Sequence, residues 1–268
     1  MIWGGVVAFL ILASSQIWNI LIVINLGEGP AFPWAVPAMA VVLWLLWNYL
    51  GGRWWPRSTS EARRNYLRAT RVSGVVFVWS LLAGVLSIAA LAGYWIVMFR
   101  LVRMSPNVLP DLSKYPLLTT ILVLTMASLV SPIAEEAAFR GYCQVRLERA
   151  FAGPAAVAIS SIYFSLAHLT QGFFWPKLFV YFLAGLVFGV TANLTRSLLP
   201  GLAVHILADL VFFTLVWPQD ATRLLIREHG ADMWFWVHVA QALGFTAMAI
   251  VAYKRLANVS EQARGMTS

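Results

Sequence analysis

The chain has 268 residues, of which 60% are hydrophobic and 11% are charged, and its mean hydropathy is +0.76. This composition excludes a water-soluble globular domain of this length and indicates that lipid surrounds most of the chain. The net charge of +8 lies in short segments between apolar runs, so we expect it to orient the spans and to contact anionic lipid rather than nucleic acid.

Apolar segments follow one another along the whole chain. Crossing the hydrocarbon region takes about 20 helical residues. The candidate segments are 4–26, 34–50, 73–99, 116–139, 154–172, 177–194, 198–217 and 233–253. The sequence therefore predicts an all-α fold, a polytopic bundle of about eight transmembrane helices, with residues 1–268 forming one membrane domain. The first segment lacks the basic start of a secretory signal, and we expect it to be retained as a span.

The basic residues predict the orientation of the bundle. Six arginines lie in the segment 51–72, which we interpret as a cytoplasmic loop, with an interfacial amphipathic helix bearing Trp54 and Trp55 as the alternative. With eight spans, 13 of the 19 basic residues fall on that side, which predicts that both termini are cytoplasmic. The excess of Arg over Lys is typical of a GC-rich bacterial genome, so the predicted location is a bacterial inner membrane.

The fourth segment ends in the ionisable side chains Glu135, Glu136 and Arg140. Such groups at membrane depth cost about 2.5–3.5 kcal/mol each to insert, so they usually face a cavity or a partner. Glu136 and Arg140 are four residues apart, in the order that favours an ion pair on one helical face, whereas Glu135 points about 100° away. Pro132 is expected to kink the helix and to admit water beside the carboxylates.

Two further segments carry histidines. His168 follows Phe164 by four residues, and His205 precedes Asp209 by four residues. On one helical face, Asp209 can fix the tautomer of His205, or both side chains can point at one substrate oxygen. A carboxylate beside an imidazole can activate water, and two donors can stabilise an oxyanion, with Asp209 donating only when protonated. We therefore expect the three clusters to form one active site.

That single site sets a geometric condition. His168 and His205 differ in expected depth by about 10 Å at the helical rise per residue, so tilt or a shifted helix boundary must bring them together. A separation of more than roughly 10 Å with no cavity between the two side chains would exclude a common site.

The three clusters have the patterns Glu-Glu-x-x-x-Arg, Phe-x-x-x-His and His-x-x-x-Asp, in that order and on three different spans. They resemble the signature of the CPBP family of intramembrane proteases, which includes the type II CAAX prenyl endopeptidases and the bacteriocin-processing (Abi) proteins. The resemblance covers about residues 116–217, and we expect the protease core to lie there. The remaining spans carry no motif that matches.

The resemblance also implies roles for the residues. Glu135 with His168 would activate the attacking water, as in a glutamic protease. His205 and Asp209 would stabilise the oxyanion; the family has Asn or Asp at the latter position. The residues that support this geometry would be Glu136, Arg140 and Phe164.

Other interpretations stay open. The same Glu and His side chains can ligate Zn²⁺ in a membrane metalloprotease, although the chain lacks His-Glu-x-x-His, and its single Cys143 excludes a cysteine-rich site. We expect no cofactor, with zinc as the alternative. A proton-coupled transporter or scaffold is a non-enzymatic alternative. The expected partners are the lipid bilayer and a membrane-anchored protein or peptide substrate: a prenylated tail, a bacteriocin or signalling peptide, or a C-terminal sorting signal.

Overall fold

The computed structural model describes residues 2–106 and 114–265, is 83% helical and has no β-strand in those ranges, so the predicted all-α fold is confirmed. The α-helices are α1 (Ile2–Ser15), α2 (Ile17–Glu28), α3 (Ala35–Leu50), α4 (Ser60–Leu67), α5 (Gly74–Leu101), α6 (Leu117–Glu135), α7 (Gln144–Leu147), α8 (Gly153–Ala167), α9 (Trp175–Thr195), α10 (Leu199–Val211), α11 (Ile226–His229) and α12 (Met233–Gly265). Wider π-helical turns cover Glu136–Cys143 and Phe212–Val216. Tighter 3₁₀ turns cover Arg57–Thr59, His168–Gln171 and Trp217–Thr222.

Each of the eight predicted segments is helical, but they differ in length. Within the described ranges, six continuous helical stretches are long and apolar enough to cross a membrane. The other two, α3 and α8, have 16 and 15 residues. At the α-helical rise they extend about 24 and 23 Å, less than the roughly 30 Å of a hydrocarbon core. α8 is therefore shorter than its predicted segment 154–172, whereas α3 agrees with its predicted segment 34–50.

The first span is interrupted. The sequence predicts one helix over 4–26, whereas α1 and α2 are separate helices that meet at Gln16. The stretch Trp3–Glu28 still has the length and hydropathy of a membrane span. The interruption introduces a polar position into an otherwise apolar wall of the bundle.

The arginine-rich segment 51–72 is in part helical. We predicted a loop, with a helix as the alternative, and the structure forms the eight-residue α4. Arg63 is buried there, and its guanidinium donates to the backbone carbonyls of Tyr49, Trp54 and Pro56. These bonds hold the segment against the end of α3, so it packs on the bundle.

Close helix contacts fix the position of α10. On α5, a Cβ atom at Gly84 would lie 2.2 Å from Cγ2 of Val204, so only glycine lets the two helices approach this closely. On the other side of α5, a Cβ at Gly93 would lie 2.8 Å from the backbone nitrogen of Ala242 in α12. The main apolar core draws residues from Ala8 to Val216 and surrounds the segment that bears the three motifs.

The single membrane domain stays a prediction. Met1 and the ranges 107–113 and 266–268, which that prediction includes, lie outside the described residues.

Candidate active site

The fourth predicted span changes its winding at the first motif. Pro132 lies inside α6, and the chain passes from α- to π-helical turns at Glu136. All eight residues of Glu136–Cys143 are buried. Single π-helical turns within α-helices often mark functional sites, because the extra residue per turn redirects side chains. The two glutamates therefore stand at the junction of two helix geometries.

Glu136 is fully buried and contacts two basic groups. Its Oε1 accepts a hydrogen bond from Nδ1 of His205 at 2.9 Å and lies 3.2 Å from Nη1 of Arg140. The predicted i, i+4 ion pair is thus present, and the same carboxylate also orients an imidazole on α10. The i, i+4 spacing of His205 and Asp209 predicts Asp209 in that orienting role. In the structure Glu136 makes the Nδ1 hydrogen bond.

Arg140 is held by a carbonyl and by aromatic faces. Its side chain is 1% exposed, and Nη2 donates to the carbonyl of Gly185 at 3.2 Å. The guanidinium carbon lies 4.3 Å from the ring centre of Phe164 and 5.2 Å from that of Phe188. Ring faces attract a cation most strongly where water is excluded. Arg140 thus supplies a buried positive charge next to Glu136.

His205 has a defined orientation. With Nδ1 bonded to Glu136, its Nε2 lies 3.7 Å from Oε2 of Glu135 and 3.7 Å from Oδ1 of Asp209. The ring stacks on Phe188, with 4.1 Å between the centres and 17° between the planes. Nε2 is therefore the nitrogen that faces two carboxylates. The predicted placement of His205 and Asp209 on one helical face holds in the structure.

Glu135 is more accessible to solvent than Glu136. Its side chain is 16% exposed, against 0% for Glu136. One oxygen, Oε1, accepts a hydrogen bond from the hydroxyl of Ser131 at 2.8 Å, one helical turn earlier. The other oxygen is the one that lies near His205. Glu135 is thus the carboxylate of the first motif that lines open space.

His168 lies at the end of α8, on the first residue of a 3₁₀ turn rather than within the predicted longer helix. Its Nδ1 is 2.8 Å from the carbonyl oxygen of Phe164. Since a carbonyl only accepts, Nδ1 carries the hydrogen, and Nε2 keeps the lone pair in the neutral ring. The ring stacks on Tyr181 at 3.9 Å and 20°. His168 therefore has one fixed tautomer with one basic nitrogen.

One cavity joins these groups. It has a volume of about 490 Å³ and is lined by Glu135, His168, His205 and Asp209. The ring of Phe164 also lines it, with its centre 4.8 Å from that of His168 and 5.9 Å from that of His205. His168 and His205 thus both contact Phe164 and line one cavity, which meets the geometric condition for a common site. The structure brings all four predicted catalytic residues to one cavity.

Three contributing residues were not identified from the sequence. Ser131 bonds Glu135, and Tyr181 and Phe188 stack on the two histidines. Ser131 stands four residues before Glu135, which is a helical-face spacing. Tyr181 and Phe188 are seven residues apart and share a face of α9, so periodicity alone makes them candidates for a common surface.

Within residues 2–106 and 114–265, no group of three or more His, Cys, Asp and Glu side chains has the arrangement of a metal site. In Glu136, Oε1 is already engaged by His205 and Arg140. Nδ1 of His205 is likewise engaged by Glu136, and Nδ1 of His168 is engaged by the carbonyl of Phe164.

An all-helical membrane protein with carboxylates and imidazoles around a cavity between its helices has the make-up of an intramembrane hydrolase. Residues 117–211 match the family model of the Rce1-like type II CAAX prenyl endopeptidases. The match includes all three motifs and confirms the resemblance that the sequence indicated. The matched family consists of endopeptidases, and the long apolar helices indicate an integral membrane protein. No curated protein and no solved structure matches the chain.

Proposed function

We propose that the protein is an intramembrane endopeptidase that hydrolyses a peptide bond with a water activated by Glu135 and His168. The observation that carries this proposal is the common cavity, where these two side chains and the His205–Asp209 pair line one space of about 490 Å³. The family match supports the class of reaction. The division of roles among the four residues is our own assignment.

The geometry supports a specific sequence of proton transfers. Glu135 is partly exposed, with Oε2 directed to the cavity, and can take a proton from water as the oxygen attacks the peptide carbonyl. The fixed tautomer of His168 leaves Nε2 as a second acceptor in the same cavity. The proton then passes to the amide nitrogen as the carbon–nitrogen bond breaks, which releases an amine and a carboxylic acid.

The tetrahedral oxyanion that forms after water attack and before the carbon–nitrogen bond breaks needs hydrogen-bond donors. With Nδ1 bonded to Glu136, His205 can supply Nε2–H when its ring carries a second proton, and Asp209 can donate when it is protonated. Glu136, which is paired with Arg140, fixes the orientation of the His205 imidazole through Nδ1. In this assignment they are positioning residues, together with Phe164.

We assign substrate and location more broadly. The substrate is a membrane-associated protein or peptide, and a prenylated tail, a signalling peptide and a C-terminal sorting signal each fit a cavity with largely apolar walls. We place the protein in a bacterial inner membrane with both termini on the cytoplasmic side, on the basis of the arginine-rich segment 51–72. Fusing a reporter enzyme to the C-terminal tail tests the orientation.

The test of the mechanism uses purified protein in lipid vesicles with a set of quenched fluorescent membrane peptides. Wild type should cleave at least one peptide, and Glu135→Ala and Glu135→Gln should each lose more than about a thousandfold in kcat. Glu261→Gln is the matched control, because Glu261 is exposed near the end of α12 and away from the cavity, and it should keep wild-type activity. Retained cleavage by Glu135→Ala excludes the glutamate mechanism.

The same assay distinguishes a zinc-dependent protease from the proposed glutamate mechanism. Under our proposal, wild-type cleavage continues after prolonged treatment with a strong chelator. Loss of cleavage that added Zn²⁺ restores would instead assign the glutamate and histidine side chains as metal ligands.

A further inference from the structure

The first span contributes two amide side chains to the wall of the candidate active-site cavity. Gln16 and Asn19 both line it, in a stretch whose mean hydropathy reaches 2.2. Polar side chains at membrane depth are costly and usually serve a partner. Gln16 also occupies the point at which α1 and α2 separate. A strongly apolar span thus places two polar side chains in the wall of the cavity that Glu135 and His205 also line.

The fold does not use these amides to join helices. Among the described residues, their side-chain hydrogen bonds run within the same span: Asn19 Nδ2 donates to Gln16 Oε1 at 2.6 Å, and Trp18 Nε1 donates to Asn19 Oδ1 at 2.9 Å. Gln16 Nε2 makes a long bond of 3.4 Å to the carbonyl of Leu12. Each amide NH₂ has two hydrogens, so each retains a further donor, and both side chains are exposed.

Asn25, farther along the same span, shows the contrast. It is fully buried, its Nδ2 donates to the carbonyls of Gly29 and Phe32, and its Oδ1 accepts from the backbone of Ala35. These bonds tie α2 to the start of α3, which is a structural role. Gln16 and Asn19 make no comparable connection within the described residues.

A peptide that is cut inside a membrane protein needs such groups. The segment around the scissile bond must leave its helix to meet water and catalyst, and its main-chain N–H and C=O groups then lose their intrahelical partners. Leaving each of them unpaired in an apolar cavity costs several kcal/mol. A side-chain amide offers the same donor and acceptor as a peptide group.

We propose that Gln16 and Asn19 bind the main chain of the substrate in an extended conformation, beside the carboxylate and imidazole groups of the cavity. Their amide N–H groups donate to substrate carbonyl oxygens, and their oxygens can accept from substrate N–H groups. Because every peptide presents this pattern, the two residues select an unwound backbone rather than a particular side chain. This inference rests on the proposed protease function.

The experiment measures cleavage of two peptides with different side chains beside the scissile bond, both drawn from those that wild type cleaves. Gln16→Leu and Asn19→Leu should each raise KM about fivefold for both peptides, with kcat within about twofold, as expected for the loss of one hydrogen bond. The double variant should raise KM more than tenfold. Asn19→Gln, which keeps the amide, should recover most of the affinity.

Two controls separate this role from a structural one. Ile20→Leu alters an exposed apolar residue of the same span that does not line the cavity, and it should leave KM unchanged. Thermal unfolding of Gln16→Leu and Asn19→Leu should match wild type, whereas Asn25→Leu should unfold at a lower temperature. An unchanged KM in the double variant overturns the inference while the protease function stands, and so does a raised KM for one peptide only. No cleavage by wild type overturns both.

Discussion

The two adjacent glutamates should respond in opposite ways to the same substitution. Glu135→Gln should abolish cleavage and leave the fold intact, whereas Glu136→Gln should destabilise the fold. The difference follows from burial, because Glu135 is 16% exposed to the cavity and Glu136 is 0% exposed between Arg140 and His205. Sequence position does not distinguish them, since they are neighbours of identical chemistry.

The magnitudes follow from the contacts. In Glu135→Gln, an amide oxygen can still accept from Ser131, so we expect less than about 1 kcal/mol of destabilisation. In Glu136→Gln, the guanidinium of Arg140 stays buried among phenylalanine rings without its carboxylate. Breaking a buried pair by removing one partner costs about 3–5 kcal/mol. The difference in stability between the two variants should therefore be about 2–5 kcal/mol.

The assay pairs equilibrium unfolding in mixed micelles, followed by tryptophan fluorescence, with cleavage of a membrane peptide by the refolded protein. Glu136→Leu/Arg140→Leu extends it, because removing both charges should recover part of the stability that Glu136→Gln loses. Equal stability of the two single variants would refute the assignment of Glu136 as the partner of Arg140. A stable, fully active Glu135→Gln would refute its role in water activation.

Substitutions at three further positions, Asp209, His168 and Gly84, test other parts of the protein. Asp209→Asn, which donates at any pH, should keep most of the activity, whereas Asp209→Leu should lower kcat about 10²–10³-fold; equal loss in both would contradict a donor role. His168→Gln should lose at least about a hundredfold in kcat, while His238→Gln, on α12 and bonded to Gln241, should keep wild-type kinetics. Gly84→Ala should destabilise the protein by about 1–3 kcal/mol because the new methyl group would overlap Val204, and Val204→Ala in the same chain should restore most of that loss in thermal unfolding; no restoration would place the strain elsewhere.

The helical class and the order of the spans follow directly from the sequence, because in lipid each apolar run has to satisfy its own backbone. Segment length was harder to predict. The segment 154–172 reads as one apolar run, yet α8 ends at Ala167, and His168 begins a tighter turn. Hydropathy does not record where the winding changes, so the depth of His168 could not be predicted. The same holds for the interruption at Gln16.

At the site, motif spacing predicted which side chains meet but not all of their partners. The i, i+4 rule placed His205 near Asp209 and Glu136 near Arg140, both within single helices. The hydrogen bond from His205 to Glu136 joins two helices whose relative rotation depends on packing, such as the contact between Gly84 and Val204. Contacts within a helix are readable from one sequence, whereas contacts between helices require the fold.

The brevity of α8 affects the lipid around the protein as well as the protein. A helix of 15 residues extends about 23 Å, so a bilayer beside it has to thin by several ångströms or be met by polar flanks. His168 follows the C-terminal end of this short helix and lines the cavity. We expect bilayer thinning at that end of α8 to bring the hydrated headgroup layer closer to the cavity and to shorten the path for water. Acyl-chain length thus becomes a determinant of turnover, and the rate should fall as the host bilayer is thickened.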